Sequence, residues 1–353
     1  MASTGGWLPF DRFMELALYT PGLGYYANGS RKFGALPSSG SDFITAPELS
    51  PLFGKALARQ VLQALQASGT DEVWEFGAGS GALAAQLLGA LGDVVRAYHI
   101  VDLSGILKER QRERVAADVP AHLGKVQWHE RLPDAMRGIV VGNEVLDAMP
   151  VQLLHFDGSS WLERGVSVSP QDGFQWMDRA TDLRPPAEGP FVPGTTIEIH
   201  PQAEAFVRTI ANRLAPGAAF LVDYGFPEFE YYHAQRTGGT LMCHRGHMAD
   251  PDPLVDVGTK DITAHVNFTG IALAAQEAGM DVLGYTSQAR FLVNCGILEL
   301  LEPGDVRALA AVQKLLNEHE MGELFKVIAL SRGFDASRLE PIGFAEGDRT
   351  HRL

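Results

Sequence analysis

A glycine-rich turn follows the first strongly apolar strand pattern of the chain. Residues 73–76 lead into Gly77, Gly79 and Gly81. Glycines at a strand-to-helix turn let the backbone approach a ligand closely, and the following helix presents free N–H groups. With Ala82 the turn also satisfies the dinucleotide pattern G-x-G-x-x-A. It therefore predicts a nucleoside-containing ligand, either S-adenosylmethionine (SAM) or NAD, against the alternative of a tight turn that binds nothing.

Two carboxylates accompany this turn. Glu75 lies two residues before the first glycine, where it can hold the ammonium group of a methionine moiety. The same charge would oppose an anionic pyrophosphate at the helix N-terminus. Asp102 follows the second predicted strand, where a carboxylate can bind both ribose hydroxyls of either ligand or instead cap the next helix with Ser104. Glu75 therefore favours SAM, whereas Asp102 does not separate the two ligands, and NAD stays a rival.

A third cluster follows the fourth predicted strand and contains Asn143, Glu144 and Asp147. It lies at the carboxyl edge of the sheet, where open α/β sheets bind ligands. If the segment forms a helical turn, the two carboxylates, three residues apart, face the same way. Such a pair can orient a guanidinium, localise its charge and accept its proton. The alternative is a polar turn whose acids cap a helix.

The segment 261–268 alternates strictly between polar and apolar residues. This pattern predicts a strand with His265 and Asn267 on a polar face, which either lines a substrate cleft together with Tyr224 or faces solvent. The nearby segment 243–247 contains one cysteine and two histidines, His244 and His247. It lacks a second ligand pair at a recognisable spacing, so we expect no metal site there.

Strands and helices alternate in two stretches of the chain, on either side of a predicted hairpin at 151–167. Ser50 and Gly69 are suited to begin and end a helix. The alternation predicts a mostly parallel sheet covered by helices on both faces. The predicted strands are 73–76, 97–103, 126–129, 138–142, 219–223, 281–285 and 324–331. The predicted helices are 51–68, 82–91, 107–117, 202–214 and 269–278.

Composition limits the function classes. The chain has 353 residues, a net charge of −14 and a pI of about 5.2, which disfavours nucleic acid as the substrate. Its two cysteines, Cys243 and Cys295, exclude a disulfide scaffold and fit a reducing compartment. No apolar run approaches the roughly 20 residues of a membrane span. The first residues resemble neither a secretory signal nor a presequence, so we expect a cytoplasmic protein.

Several segments that cover most of the chain resemble the MidA-like family, methyltransferases related to the mitochondrial complex I assembly arginine methyltransferase. The N-terminal and 261–268 motifs are far more specific than the glycine turn. The segments that carry the resemblance are 13–19, 24–26, 42–50, 53–54, 75–81, 143–144, 147–150, 223–225, 239–241, 261–268 and 325–327.

The resemblance implies an α/β fold of the class I SAM methyltransferase (Rossmann-like) type, with a seven-stranded, mostly parallel sheet and an inserted α+β lid. It implies a methyl acceptor on a protein, an arginine guanidinium, by analogy on a respiratory complex I-type subunit. The residues that would face the acceptor are Asn143, Glu144 and Asp147. The residues that would bind or adjoin SAM are Glu75, Gly77, Gly79, Gly81, Asp102, Thr45, Pro47 and Glu48. The commoner residue at position 102 is Glu, and Asp shortens the reach to the ribose.

The expected domain organisation has a helical N-terminal cap over 1–70 and a C-terminal tail over 336–353. The SAM-binding core comprises 71–150, 201–223 and 268–335, and the lid comprises 151–200 and 224–267. Other hypotheses stay open: a small-molecule acceptor, an assembly factor with little activity, or an NAD-linked dehydrogenase. The oligomeric state stays open as well, a homodimer included.

Overall fold

The computed structural model describes residues 6–27, 44–102, 105–169, 173–246, 248–335 and 339–353. Its strands are β1 Trp7–Pro9, β2 Glu72–Phe76, β3 Ala97–Val101, β4 Val126–His129, β5 Met136–Asn143, β6 Gln152–Phe156, β7 Trp161–Val168, β8 Phe174–Ala180, β9 Thr196–Ile199, β10 Leu214–Phe226, β11 Met242–Arg245, β12 Met248–Asp250, β13 Asp261–Thr263, β14 Val266–Asn267, β15 Asp281–Ser287 and β16 Phe325–Arg332. Its α-helices are α1 Phe10–Tyr19, α2 Ala46–Leu49, α3 Pro51–Ser68, α4 Ala82–Leu91, α5 Gly105–Asp118, α6 Pro201–Arg213, α7 Glu228–Tyr231, α8 Phe268–Glu277, α9 Gln288–Asn294 and α10 Val306–Leu316.

The central sheet is mixed and has the order β15-β16-β10-β5-β2-β3-β4. The pairs from β10 to β4 are parallel, whereas β16 is antiparallel to both of its neighbours. The predicted count of seven strands is too low. Strand β10 continues past the predicted 219–223, and its Gly225 and Phe226 pair with the short parallel strand β14, which makes eight strands.

Helices cover both faces of this sheet, as predicted. Helices α3, α4, α9 and α10 pack on one face through residues such as Leu57 and Phe291. Helices α6 and α8 pack on the other through Val207 and Ile271. Within the described ranges, no helix combines the length and hydropathy that a membrane span requires.

The N-terminal segment, predicted as one cap over 1–70, is divided between two layers. Helix α3 packs in the main core, and it begins where the Ser50 hydroxyl accepts a hydrogen bond from Leu52 N (3.2 Å). Strand β1 and helix α1 belong to a second layer. There the predicted hairpin β6-β7 forms an antiparallel sheet of order β1-β7-β6-β9, with β8 beside β7. Apolar residues of α1, including Met14 and Leu18, pack against this sheet.

The single strand predicted over 261–268 is wrong. The chain forms β13, breaks, and then forms β14. The first pairs with β11 in a three-stranded sheet of order β12-β11-β13, and the second pairs with β10 in the central sheet. Both the polar residue Asp261 and the apolar residue Ile262 are buried. Because the segment is enclosed on both faces, its alternation marks no solvent-facing side.

Two other predicted boundaries differ. Strand β3 ends at Val101 rather than at Leu103, and both Leu103 and Ser104 lie outside the described residues. The residues predicted as a tail return to the core. Phe344 is buried, and Asp348 Oδ1 accepts a hydrogen bond from the β15 backbone at Tyr285 N (3.0 Å).

Truncation of Leu57 tests the packing of α3 on the sheet. Leu57 is 1% exposed, so Leu57→Ala should lower the free energy of unfolding by about 2–5 kcal/mol. The matched control is Leu273→Ala in α8, where the side chain is 51% exposed and the change should stay within about 0.5 kcal/mol. Urea denaturation followed by circular dichroism measures both. Equal losses in the two variants would contradict this packing.

Candidate active site

A cavity of about 1480 Å³ opens at the carboxyl ends of the central strands, the usual ligand position in open α/β sheets. The loops after β2, β3 and β5 line one side of it. The second layer lines the other side through α1, the turn after it and β11. The cavity therefore lies between the two layers and brings together residues far apart in sequence. Its lining includes Glu75, Gly77, Gly79, Asp102, Asn143, Glu144, Asp147, Tyr224, Thr45, Pro47, Tyr19, Tyr26, Asp261, Arg236 and His265.

The predicted glycine turn lines the cavity at Gly77 and Gly79. Both have positive φ angles, 63° and 52°, which glycine adopts without strain. A Cβ at Gly77 would lie 3.0 Å from Val145 Cγ2. Gly81 is different, because it does not line the cavity. It caps α4, and a Cβ there would lie 2.9 Å from the backbone Cα of Gln111, so its role is helix packing.

Asp102 is held at the cavity by Gln111, a residue that the sequence reasoning missed. Gln111 Nε2 donates hydrogen bonds to Asp102 Oδ2 (2.9 Å) and Gly79 O (3.3 Å). Its Oε1 in turn accepts a hydrogen bond from Trp128 Nε1 (3.1 Å). Gln111 therefore links the glycine turn to the carboxylate predicted to bind the ribose. Its position on the inner face of α5, among charged neighbours, is the sequence signal that could have identified it.

Glu75 is buried at the end of β2 and faces the cavity. Its Oε2 accepts a hydrogen bond from the Tyr98 hydroxyl (2.6 Å). Burial raises the pKa of Glu75 to about 8, the Tyr98 hydrogen bond partly offsets this, and the charge of Asp102 adds to it. A cationic ligand group beside this carboxylate would restore its ionised form.

The segment 45–48 borders the cavity, as the resemblance implies, but its residues differ in role. Thr45 and Pro47 line the cavity. Gln86 Nε2 donates to Pro47 O (2.7 Å) and so ties the segment to α4. Glu48 does not line the cavity. Its carboxylate accepts a hydrogen bond from the Ser80 hydroxyl and lies 3.7 Å from Arg114 Nη1, so it supports the glycine turn from behind.

The loop after β5 brings Glu144 and Asp147 to the cavity, but no helical turn does this. Glu144 adopts a positive φ of 55°, a conformation that a non-glycine residue keeps only where its surroundings impose it. The buried Asp223 imposes it here. Its Oδ2 accepts hydrogen bonds from the backbone N–H groups of Val145 (3.1 Å), Leu146 (2.9 Å) and Asp147 (3.3 Å).

Glu144 and Asp147 both have raised pKa values. Burial raises the pKa of Glu144 to about 8, and the neighbouring charge of Asp147 adds to the effect. Burial also raises the pKa of Asp147 to about 6, against the lowering influence of the Tyr224 hydroxyl. Asn143 Nδ2 donates to Glu144 Oε1 (2.9 Å). Asn143 Oδ1 and Asp147 Oδ1 are buried and lack a hydrogen-bond partner among the described residues.

Tyrosines from the N-terminal segment complete this side of the cavity. The rings of Tyr19 and Tyr26 stack with a centroid distance of 5.6 Å. The hydroxyl of Tyr19 donates to Ala148 O (2.9 Å), and that of Tyr26 donates to Asp261 Oδ1 (2.9 Å). Tyr19 and Tyr26 belong to the motifs of the resemblance, but the sequence assigned them no role. Asp261 belongs to the polar face predicted over 261–268, which the pattern predicted either to line a cleft or to face solvent.

Of the other residues predicted to line the cleft, some line the cavity and one does not. Tyr224 and His265 line the cavity, and their rings lie 5.2 Å apart. Asn267 does not, since its Oδ1 caps α8 by accepting from Gly270 N (3.3 Å). His244 lines the cavity on β11, whereas His247 lies outside the described residues. No group of metal-binding side chains exists among the residues that the structure describes.

The cofactor side of the cavity fits SAM. The glycine turn leaves room for close backbone contact, and Asp102, held by Gln111, lines the cavity. Glu75 is a buried carboxyl group without a basic partner among the described residues, and a ligand ammonium beside it would supply the missing counter-charge. The partnerless Asn143 Oδ1 offers a further hydrogen-bond acceptor at the same edge. The carboxylate of Glu75 would repel the anionic pyrophosphate of NAD.

Comparison with known families decides the identity. Residues 56–286 match the model of the family described as "Putative S-adenosyl-L-methionine-dependent methyltransferase". The chain belongs to this methyltransferase family. The sequence-based resemblance to MidA-like methyltransferases is thereby confirmed, and so is the choice of SAM over NAD.

Similar proteins agree with this assignment. The methyltransferase is 52% identical to a Burkholderia thailandensis protein whose crystal structure contains S-adenosyl-homocysteine, with a TM-score of 0.94 over 100% of this chain and 94% of that one. It is 29% identical to the mouse mitochondrial protein arginine methyltransferase NDUFAF7 over 90% of this chain and 79% of the relative. The human protein of the same name is 28% identical over 90% of this chain and 78% of the relative.

Calorimetric titration with SAM tests the cofactor side of this methyltransferase. Asp102→Ala should weaken SAM binding by about 10-fold or more, because a hydrogen bond to a charged group is worth about 1.5–3 kcal/mol. Gln111→Ala should weaken it less, since Gln111 acts by positioning Asp102. The control is Glu109→Ala on the exposed face of the same helix. Unchanged affinity in Asp102→Ala would contradict the assigned ribose contact.

Proposed function

We propose that this methyltransferase transfers the methyl group to an arginine guanidinium of a protein. The observation that carries the proposal is the pair Glu144 and Asp147. Both face the cavity with raised pKa values, and no lysine or arginine of the described residues forms an ion pair with either one. A buried carboxylate pair without a counter-charge is suited to a cationic ligand group.

The charge distribution of the whole cavity supports a cationic acceptor. Arg131 and Arg236 are the two guanidinium groups among its described lining residues. Carboxylates are far more numerous, and they are Glu15, Glu75, Asp102, Glu130, Glu144, Asp147 and Asp261. A planar guanidinium also fits the stacked Tyr19 and Tyr26 rings, because arginine packs well on aromatic faces. A neutral small molecule would gain nothing from this arrangement.

The chain's own residues orient the acceptor and take its proton. Bound SAM supplies a methyl group on a sulfonium, whose sulfur leaves with the bonding electron pair. Asp147 and Glu144 grip the guanidinium and localise its charge, which leaves one terminal nitrogen free to attack in line. As the nitrogen–carbon bond forms and the carbon–sulfur bond breaks, the nitrogen loses a proton. Glu144, with its pKa of about 8, is matched to accept it near neutral pH.

The relatives support the acceptor class by name, since the mouse and human proteins are both called protein arginine methyltransferases. Their name also makes a complex I-type subunit the first acceptor to try. We further propose that the segments 151–200 and 224–267 act as the lid over the acceptor. Support comes from the lining residues Arg236 and His244, which the second of these segments contributes.

Replacement of the carboxylate pair tests the acceptor role. Glu144→Gln and Asp147→Asn keep the shape of the side chains and remove the charge. We expect each to lower the rate of methylarginine formation by about 100-fold or more, with SAM affinity retained. Transfer from isotope-labelled SAM into lysate proteins, with methylarginine identified by mass spectrometry, gives the readout. Glu109→Gln is the surface control. Normal turnover in the double variant would show that these carboxylates do not hold the acceptor.

The pH profile provides a second test. A carboxylate must be ionised to hold the guanidinium, and burial raises the pKa of Asp147 to about 6 and that of Glu144 to about 8. The value of kcat/KM for the acceptor should therefore rise as pH increases from 6 to 8 and level off above 8. Ordinary carboxylates would be fully ionised well below pH 6. A profile that is already flat at pH 6 would argue against the raised values.

A further inference from the structure

The lining of the cavity carries charged groups of both signs. Glu144, Asp147 and Asp261 are acidic, and Arg236 and His265 are basic side chains on the same lining. We call Arg236 and His265 the cationic subsite. The carboxylates suit a guanidinium, and nothing in the proposed methyl transfer uses the cationic subsite.

A row of aromatic rings leads from Asp147 to Arg236. The Tyr224 hydroxyl forms a hydrogen bond with the Asp147 carboxylate, and the Tyr224 ring lies 5.2 Å from the His265 ring. The Phe226 ring follows at 5.3 Å from His265, and the Arg236 guanidinium carbon lies 4.1 Å from the centre of the Phe226 ring. Tyr224, His265 and Arg236 line the cavity, whereas Phe226 does not line it and packs against the guanidinium.

Arg236 is held in place but lacks a charged partner. No carboxylate of the described residues forms an ion pair with it, although the protein has a net charge of −14. The neighbouring cation Lys326 differs, because it forms an ion pair with Glu323 (3.5 Å). The backbone around Arg236 is fixed by hydrogen bonds from Arg236 N to His233 O (2.8 Å) and from Thr196 N to Thr237 O (2.8 Å).

His265 adds a buried polar atom without a partner. Its Nδ1 has no hydrogen-bond partner among the described residues, while its backbone N donates to Thr240 Oγ1 (3.0 Å). The buried Glu198 fixes Thr240 by accepting its backbone N–H (2.8 Å). Burial, with the charges of Arg236 and Lys326, lowers the pKa of His265 to about 4. The imidazole is therefore neutral at physiological pH and has one N–H to donate.

We propose that the cationic subsite binds a carboxylate of the acceptor protein and thereby selects arginines that have an acidic residue nearby in the sequence. This inference rests on the proposed function, in which the acceptor is an arginine. It adds the feature that determines which arginines are methylated. A guanidinium and a neutral imidazole donor together suit a carboxylate. The steps along the row are 5.2, 5.3 and 4.1 Å, so the distance from the Tyr224 ring to the Arg236 guanidinium is at most that of about four extended residues. The acid and the target arginine should therefore be close in the acceptor sequence.

Peptide kinetics test the subsite. The substrates are short peptides that contain one arginine and one Asp, and the separation between the two residues varies from peptide to peptide. Each peptide is compared with the same peptide in which Asn replaces Asp. We expect one separation at which Asp lowers KM by about 10-fold or more relative to Asn, with kcat unchanged. Arg236→Gln should reduce this ratio to about one. Arg236→Glu should invert the preference, so that a Lys peptide becomes the better substrate. Arg179→Gln is the matched control, because Arg179 also stacks on an aromatic ring (Trp7, 4.4 Å) but does not line the cavity.

The outcomes separate this inference from the proposed function. If the Asp and Asn peptides are methylated equally at every separation, the subsite is wrong and the arginine acceptor stands. If no arginine is methylated in peptides or lysate proteins while SAM binds normally, both are wrong. If free arginine is methylated in preference to every peptide, the subsite binds the carboxylate of the arginine itself. This result would overturn selection by a neighbouring acidic residue. A preserved ratio in Arg236→Gln, with unchanged SAM affinity, would also contradict the assignment.

Discussion

One buried carboxylate, Asp223, organises the site. It lies on β10 and accepts three consecutive backbone N–H groups from the loop after β5, while its Oδ1 accepts a hydrogen bond from Tyr224 N (3.0 Å). Through these bonds the ends of two adjacent parallel strands are held together, and Glu144 is kept at its positive φ. The positions of Glu144 and Asp147 therefore depend on a residue that does not itself line the cavity.

This arrangement carries a cost in stability. Burial raises the pKa of Glu75, Glu144, Asp147 and Asp223 above their ordinary values. The folded protein therefore binds protons more tightly at these sites than the unfolded chain does. Their contribution is favourable at low pH and is lost as pH rises through the raised pKa values. Cationic ligands oppose this loss, because they stabilise the ionised carboxylates. The same burial that weakens the empty fold thus strengthens the binding of a sulfonium, an ammonium or a guanidinium.

Local patterns predicted the main sheet well, because each signal is decided within a few residues. Helix α4 and strand β4 have the predicted bounds. The local patterns failed where the pairing of distant segments determines the secondary structure. The alternation at 261–268 predicted one strand, but the segment serves two sheets and is buried on both faces. Asp223 and Arg236 could not be assigned roles from sequence, since each acts through a partner that only the folded chain brings near. The position of Gln111 among charged residues indicates that it is buried, but not which groups it contacts.

The two layers divide the work of the site. The cofactor groups Glu75, Gly77 and Asp102 come from strand ends of the central sheet, where the hydrogen-bond ladder fixes their spacing. Much of the proposed acceptor surface, including Tyr19, Tyr26 and Asp261, comes from the second layer or its junction with the sheet. Substitutions in that layer can change the charge pattern presented to an acceptor without moving the strand ends. The proposed acceptor side can therefore vary separately from the groups that are proposed to hold the methyl donor.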